Sequence, residues 1–196
     1  MVGASKLRSR NLNGIFEAEH LISKSPVLHY TIEHRDLVQD LSVRTDSVLV
    51  LAIAKDDSSW GVNGTAQSFL ALIASLQYPR HKLSIGLLVS DPKEYHRVTE
   101  YLSLHFADYG FAHVSVLCRN DKSMQMSRGN RKADDKQKQR RRLLARYRNF
   151  LLFSCLKDWH QGVLWVDSDI VKMPGYLLRK MIDCESNTLL LRRQCI

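Results

Sequence analysis

Asp167 and Asp169 close an apolar run, Gly162-Val163-Leu164-Trp165-Val166, and two β-branched residues, Ile170 and Val171, follow them. A buried strand that stops on paired acids delivers both to one edge of a sheet. On an extended backbone, residues two apart also point to the same side. Two carboxylates on one side suit a hard divalent cation such as Mn²⁺ or Mg²⁺, which in turn holds a diphosphate. With fourteen Asp in 196 residues, about one Asp-x-Asp is expected by chance. The surrounding elements therefore have to decide.

The segment just before this strand, Arg140–Leu156, reads as a helix. At about 100° per residue, Leu143, Tyr147, Phe150 and Ser154 form its buried stripe, with Arg142, Arg146 and Asn149 as a polar stripe beside it. Arg141 and Arg148 point further out. In an α/β unit a helix runs antiparallel to the strand it feeds, so its amino-terminal half is expected near Asp167 and Asp169. That end brings unpaired N–H groups, the positive end of the helix dipole and arginines that bind phosphate bidentately. Metal and arginines would then neutralise the same leaving group from two sides. The competing reading is a solvated basic face over an ordinary core stripe.

The other elements fit the same plan. Ser47–Ala54 is a continuous apolar run, as in a strand buried on both faces, and it ends in the polar loop Lys55-Asp56-Asp57-Ser58-Ser59. Thr65–Gln77 has helical spacing, closed by Tyr78-Pro79. Leu83–Ser90 is a second strand stopped by Asp91-Pro92, Glu94–Ala107 a second helix, and Ala112–Leu117 a third strand. From Arg119 to Gln139 the apolar pattern lapses into a long basic connection. Tyr176–Ile182 reads as a short helix and Thr188–Leu191 as the start of a strand. This alternation predicts an α/β domain with a mostly parallel sheet. Asp56, Asp57, Asp91, Asp167 and Asp169 then all fall at carboxyl ends of strands, where such sheets bind ligands. No GxGxxG or P-loop pattern follows the first strand. Trp60 could cover a nucleotide loop, although an ordinary packed tryptophan is the simpler reading.

Residues 1–45 are polar and weakly patterned, and read as a surface extension with a helical lead-in around Ile32–Leu41. Residues 46–196 form the patterned domain. A length of 196 residues with 44% hydrophobic and 25% charged content suits one globular domain. The net charge of +9 is local: ten Lys or Arg against two Asp lie between Arg128 and Arg148. Such a cluster can meet any polyanion. Cys118, Cys155, Cys184 and Cys195 show no CxxC, and Cys118 and Cys155 read as buried thiols. The eight histidines have no metal-like spacing. No apolar stretch approaches the roughly 18 residues needed to span a bilayer, and no secretory h-region follows Met1.

The arginine–asparagine helix followed by Val163-Leu164-Trp165-Val166-Asp167-Ser168-Asp169-Ile170 resembles the Golgi mannan polymerase subunits of fungi, glycosyltransferase family 62. Ser75-Leu76-Gln77-Tyr78-Pro79 and Leu87-Leu88-Val89-Ser90-Asp91 stand in that family's order. The resemblance implies a GT-A, Rossmann-like fold, GDP-mannose as donor, Mn²⁺ (or Mg²⁺), and retaining transfer to an α-linked mannose of mannan or an N-glycan. It implies Asp167 and Asp169 as metal ligands and catalytic groups. Ala54, Lys55, Arg146, Arg148, Asn149 and Ser168 join them as donor-binding residues. It further implies Golgi residence, companion mannosyltransferase subunits, and a domain incomplete on its C-terminal side, since family members carry a membrane anchor and a longer second half. Two alternatives stand beside this reading. One is a non-catalytic GT-A-like subunit. The other is a nucleic-acid binder using 128–148, a segment poor in aromatic residues for stacking.

Overall fold

The computed structural model describes residues 4–22, 27–119 and 134–183. Among the described residues a seven-stranded mixed sheet runs in the order β1 (Ala4–Leu12), β2 (Ile15–Ile22), β3 (Val27–His34), β6 (His113–Arg119), β5 (Leu83–Val89), β4 (Val48–Ala54), β7 (Gly162–Trp165). β6, β5, β4 and β7 are mutually parallel, whereas β1, β2 and β3 pair antiparallel with one another and β3 pairs antiparallel with β6.

The parallel strands are the continuous apolar runs. β5 is buried at every position and β4 at all but Ile53, because helices cover both faces. α3 (Ala66–Ala74) and α4 (Pro92–Tyr109) pack on one face, in a core that includes Val50, Ile85, Phe69, Ile73, Val98 and Phe106. α5 (Asp134–Cys155) packs on the other, with Leu49, Leu51, Leu88 and Leu117 against Tyr147, Leu151 and Cys155. Gly86 permits that approach: a Cβ there would lie 2.6 Å from a Leu51 methyl and 2.9 Å from the Cys155 sulfur.

The helix limits follow local chemistry. Thr65 accepts from the Ser68 amide at 3.1 Å and starts α3. Asp91 accepts from the Lys93 amide ahead of Pro92 and starts α4. Gly110, in the left-handed region, ends α4. On α4, Leu104 is exposed and Phe106 is buried in the core.

The amino-terminal reading is corrected. The expected surface extension is three strands of the sheet, and Ile32–His34 close β3, with helix beginning only at α1 (Arg35–Gln39), followed by α2 (Leu41–Arg44). Asn13 and Gly14 both have positive φ, 51° and 78°, and Leu12 pairs with Ile15. That is the Asn-Gly hairpin turn, whose twist matches that of the flanking strands. The charged residues that hid these strands are paired: buried Glu17 meets Arg10, while Glu19 meets Arg8 at 3.1 Å and the Tyr95 hydroxyl at 2.7 Å. α6 (Leu177–Asp183) covers the expected Tyr176–Ile182 helix and buries Leu178. The expected Thr188–Leu191 strand, Cys184 and Cys195 lie outside the described residues, as does most of the basic connection after Arg119.

Candidate functional site at the carboxyl edge

The chain passes from β4 to β5 to β6 in one direction, then returns to place β7 on the opposite side of β4. The reversal falls between β4 and β7, and at the carboxyl ends of such a pair open α/β sheets form their ligand crevice. Ala54 and Lys55 end one wall and Asp167, Ser168 and Asp169 the other. Asp56 and Asp57 follow β4, and Asp91 follows β5 on the same edge.

The acids are placed differently from expectation. β7 stops at Trp165, Val166 donates to the Leu51 carbonyl at 2.9 Å, and a turn over Ser168-Asp169 follows, with Ile170 donating back to the Asp167 carbonyl at 3.3 Å. Asp167 and Asp169 therefore lie on a turn, not on extended backbone, and their spacing gives them no shared direction. The turn instead exposes both acids; Asp167 retains 76% of its side-chain surface.

The loop after β4 is tightly bonded. Ser59 Oγ accepts from the Lys55 and Asp56 amides at 3.1 and 3.3 Å and donates to Asp56 Oδ1 at 3.1 Å. The Lys55 carbonyl accepts from Ser90 and Asp91 amides at 3.2 and 2.8 Å, and the Ala54 carbonyl from Ser90 at 3.3 Å. The backbone of Ala54–Lys55 thus ties β4 to β5, leaving the exposed Lys55 ammonium, 3.9 Å from Asp56 Oδ2, as the group there that could meet a ligand. Ser168 Oγ donates to the Ser59 carbonyl at 2.8 Å, across to the β4 loop.

Trp60 is buried. Its Nε1 donates to Glu94 Oε1 at 2.8 Å, and Glu94 also meets Arg97 at 2.7 Å. Burial raises the Glu94 pKa, opposed by the Trp60 and Arg97 contacts. The tryptophan is a packed core residue beneath the loop.

On α5, Arg148 reaches the acid turn. Its guanidinium lies 3.8 Å from Asp167 Oδ1 and 5.3 Å above Trp165. The inward line is Tyr147, Leu151 and Cys155, with Ser154 half-buried; Arg142, Arg146 and Asn149 are exposed, as the wheel requires. The helix begins at Asp134, fourteen residues or about 21 Å along its axis from Arg148. Its amino terminus is thus too far along the axis for the expected dipole contribution at Asp167, since that effect fades within a turn. Gln137–Arg142 and Leu144–Arg146 are exposed, so the described cations of this half form a solvated rod.

Exposed carboxylates on a turn are hard oxygen donors, and Mn²⁺ or Mg²⁺ at diphosphate sites takes one or two carboxylates and completes its shell with phosphate and water. Asp167 and Asp169 fit that donor set. Among the described residues no group of three or more His, Cys, Asp or Glu could hold a metal unaided. No described helix is long and apolar enough to cross a membrane.

The profile of the Anp1 family matches residues 26–192. The chain is also 34% identical, over 125 residues, to the mannan polymerase complex subunit mnn9 of Schizosaccharomyces pombe. The match takes in 60% of this chain and 37% of that relative, so the chain spans little more than a third of the relative's length.

Proposed function

The chain belongs to the Anp1 family of glycosyltransferase-62-like mannosyltransferases, and from that membership and the carboxyl edge together we propose that it binds a sugar nucleotide, GDP-mannose, at the β4/β7 crevice. Its place would be within a Golgi mannosyltransferase complex, serving a mannan or N-glycan acceptor. The observation that carries the reading is that the Lys55 loop, the Asp167–Asp169 turn and Arg148 lie at the reversal point between β4 and β7.

Asp167 and Asp169 are the residues that would hold Mn²⁺ or Mg²⁺. Bound there, the cation would offset the charge that develops on a departing GDP diphosphate. Arg148 would supply a fixed positive charge at the same place, set over Trp165 and already drawn to Asp167. Lys55 extends from the opposite wall toward solvent and can meet a phosphate oxygen. Arg146 and Asn149, solvent-facing on the same helix, would contribute at longer range.

The test is release of mannose from GDP-mannose with and without Mn²⁺. Wild-type protein is expected to show metal-dependent turnover that Asp169→Ala abolishes. Metal-dependent GDP binding with no turnover would instead identify a donor-binding subunit without transfer. Absence of both would overturn the reading.

A further inference from the structure

Two turns meet at the crevice from positions more than a hundred residues apart. Ser168 Oγ gives its hydrogen to the Ser59 carbonyl at 2.8 Å. Gly61 makes the second contact: it has φ +91°, and a Cβ there would stand 3.1 Å from the Asp169 carbonyl oxygen and 3.6 Å from Asp169 Cα. The loop after β4 is held by its own bonds, Ser59 N–H to the Asp56 carbonyl at 3.0 Å and Gly64 N–H to the Gly61 carbonyl at 3.2 Å. Below it, Trp60 is anchored to Glu94 of α4. The acid turn has only the Ile170 amide to Asp167 carbonyl bond of its own. A turn with one internal bond and two exposed carboxylates thus leans on a loop rooted in the core.

We propose that Ser168 and Gly61 are positioning residues that clasp the acid turn to the β4 loop, so that Asp167 and Asp169 are presented as a preset pair. The Ser168 hydroxyl therefore acts as a strut rather than as a donor-binding group. The proposal rests on the donor-site reading for its functional half. A preset pair loses less freedom on binding a cation and a diphosphate than a pair on a loose turn, and that difference appears as affinity. A hydroxyl-to-carbonyl bond of this kind accounts for about a tenfold effect.

Amide hydrogen exchange in the ligand-free protein tests the clasp without the donor. The Ser59, Gly64 and Ile170 amides report on their own turns, and none bonds to the other turn. Ser168→Ala is expected to speed exchange several-fold at Ile170 while Ser59 and Gly64, in the rooted loop, stay near wild type; Ser168→Thr, which keeps the hydroxyl, leaves all three near wild type. Wild-type exchange at Ile170 in Ser168→Ala would overturn the clasp. In calorimetry with GDP and Mn²⁺, Ser168→Ala is expected to weaken binding about tenfold with Ser168→Thr restoring it. Gly61→Ala weakens binding further because strain and contact add. Wild-type affinity in Ser168→Ala would overturn the positioning role. No GDP binding by wild type would overturn the donor reading and the role together, and the exchange result would then report on the clasp alone.

Discussion

The two halves of the sheet reach burial by different chemistry. In β4, β5 and β7 nearly every side chain is apolar, so these strands are held by area removed from water, with helices over both faces of β4 and β5. In β1, β2 and β3 the inward residues include Glu17 and Glu19, kept buried by Arg10, Arg8 and Tyr95. The first half is robust to where each contact falls, because apolar packing is non-directional. The second depends on particular partners, since a buried carboxylate that loses one is costly. The crevice belongs wholly to the apolar half, at its carboxyl edge, so the antiparallel strands can be perturbed without touching the proposed site.

The largest expected effect falls on the seam where the halves join. His29 of β3 and His113 of β6 share Ser115 Oγ, at 3.2 and 3.3 Å, and His160 lies close by with Lys157 facing all three. Desolvation by burial, then the Lys157 charge, lowers His29 to about 4 and His160 to about 3, and holds His113 well below its ordinary value. Nδ1 of His113 and Nε2 of His160 are buried without a hydrogen-bond partner. These histidines are neutral when folded but take up protons near pH 6.5 when unfolded. Stability is therefore full above pH 6.5 and falls as pH drops toward 4, by several kcal/mol in total. Urea midpoints at pH 7 and pH 4.5 measure it, and equal midpoints would contradict a neutral seam.

Next comes the apolar half. Leu51→Ala removes a fully buried side chain between β4 and α5 and is expected to cost about 3 kcal/mol in chemical denaturation. Tyr95→Phe, which withdraws one donor from Glu19 and leaves the ring in place, is expected to cost about 1 to 2 kcal/mol. A Tyr95→Phe variant as stable as wild type would break the contrast, since buried Glu19 would then lose a partner at no cost. The smallest effect belongs to the site: Arg148→Ala breaks a 3.8 Å pair between half-exposed and exposed groups and should change stability by no more than about 0.5 kcal/mol.

The contrast also explains what could be read from the sequence. Ser47–Ala54, Leu83–Ser90 and the alternation of strands with helices gave away the parallel core, because a strand covered on both faces must be continuously apolar. β2 was hidden by Glu17 and Glu19, whose partners are arginines of the neighbouring β1 and Tyr95 of α4, far along the chain. Asn13-Gly14 was the available signal for that hairpin. At the site, the edge carrying Asp167 and Asp169 was legible from strand order. The turn that displays them was not, since it depends on where β7 stops pairing with Leu51 and on the Ser59 carbonyl more than a hundred residues earlier. Arg148 was legible as a cation but not as the one nearest the acids. Its placement follows from Tyr147, Leu151 and Cys155 setting the inward line of α5.

The central claim is that the β4/β7 crevice binds a nucleoside diphosphate through Asp167 and Asp169. Calorimetric titration of GDP into the protein, with and without Mn²⁺, measures it most directly. Wild type is expected to bind GDP only when Mn²⁺ is present, and Asp169→Ala to lose that binding while melting at the wild-type temperature. GDP binding that is indifferent to Mn²⁺, or unchanged in Asp169→Ala, would contradict it.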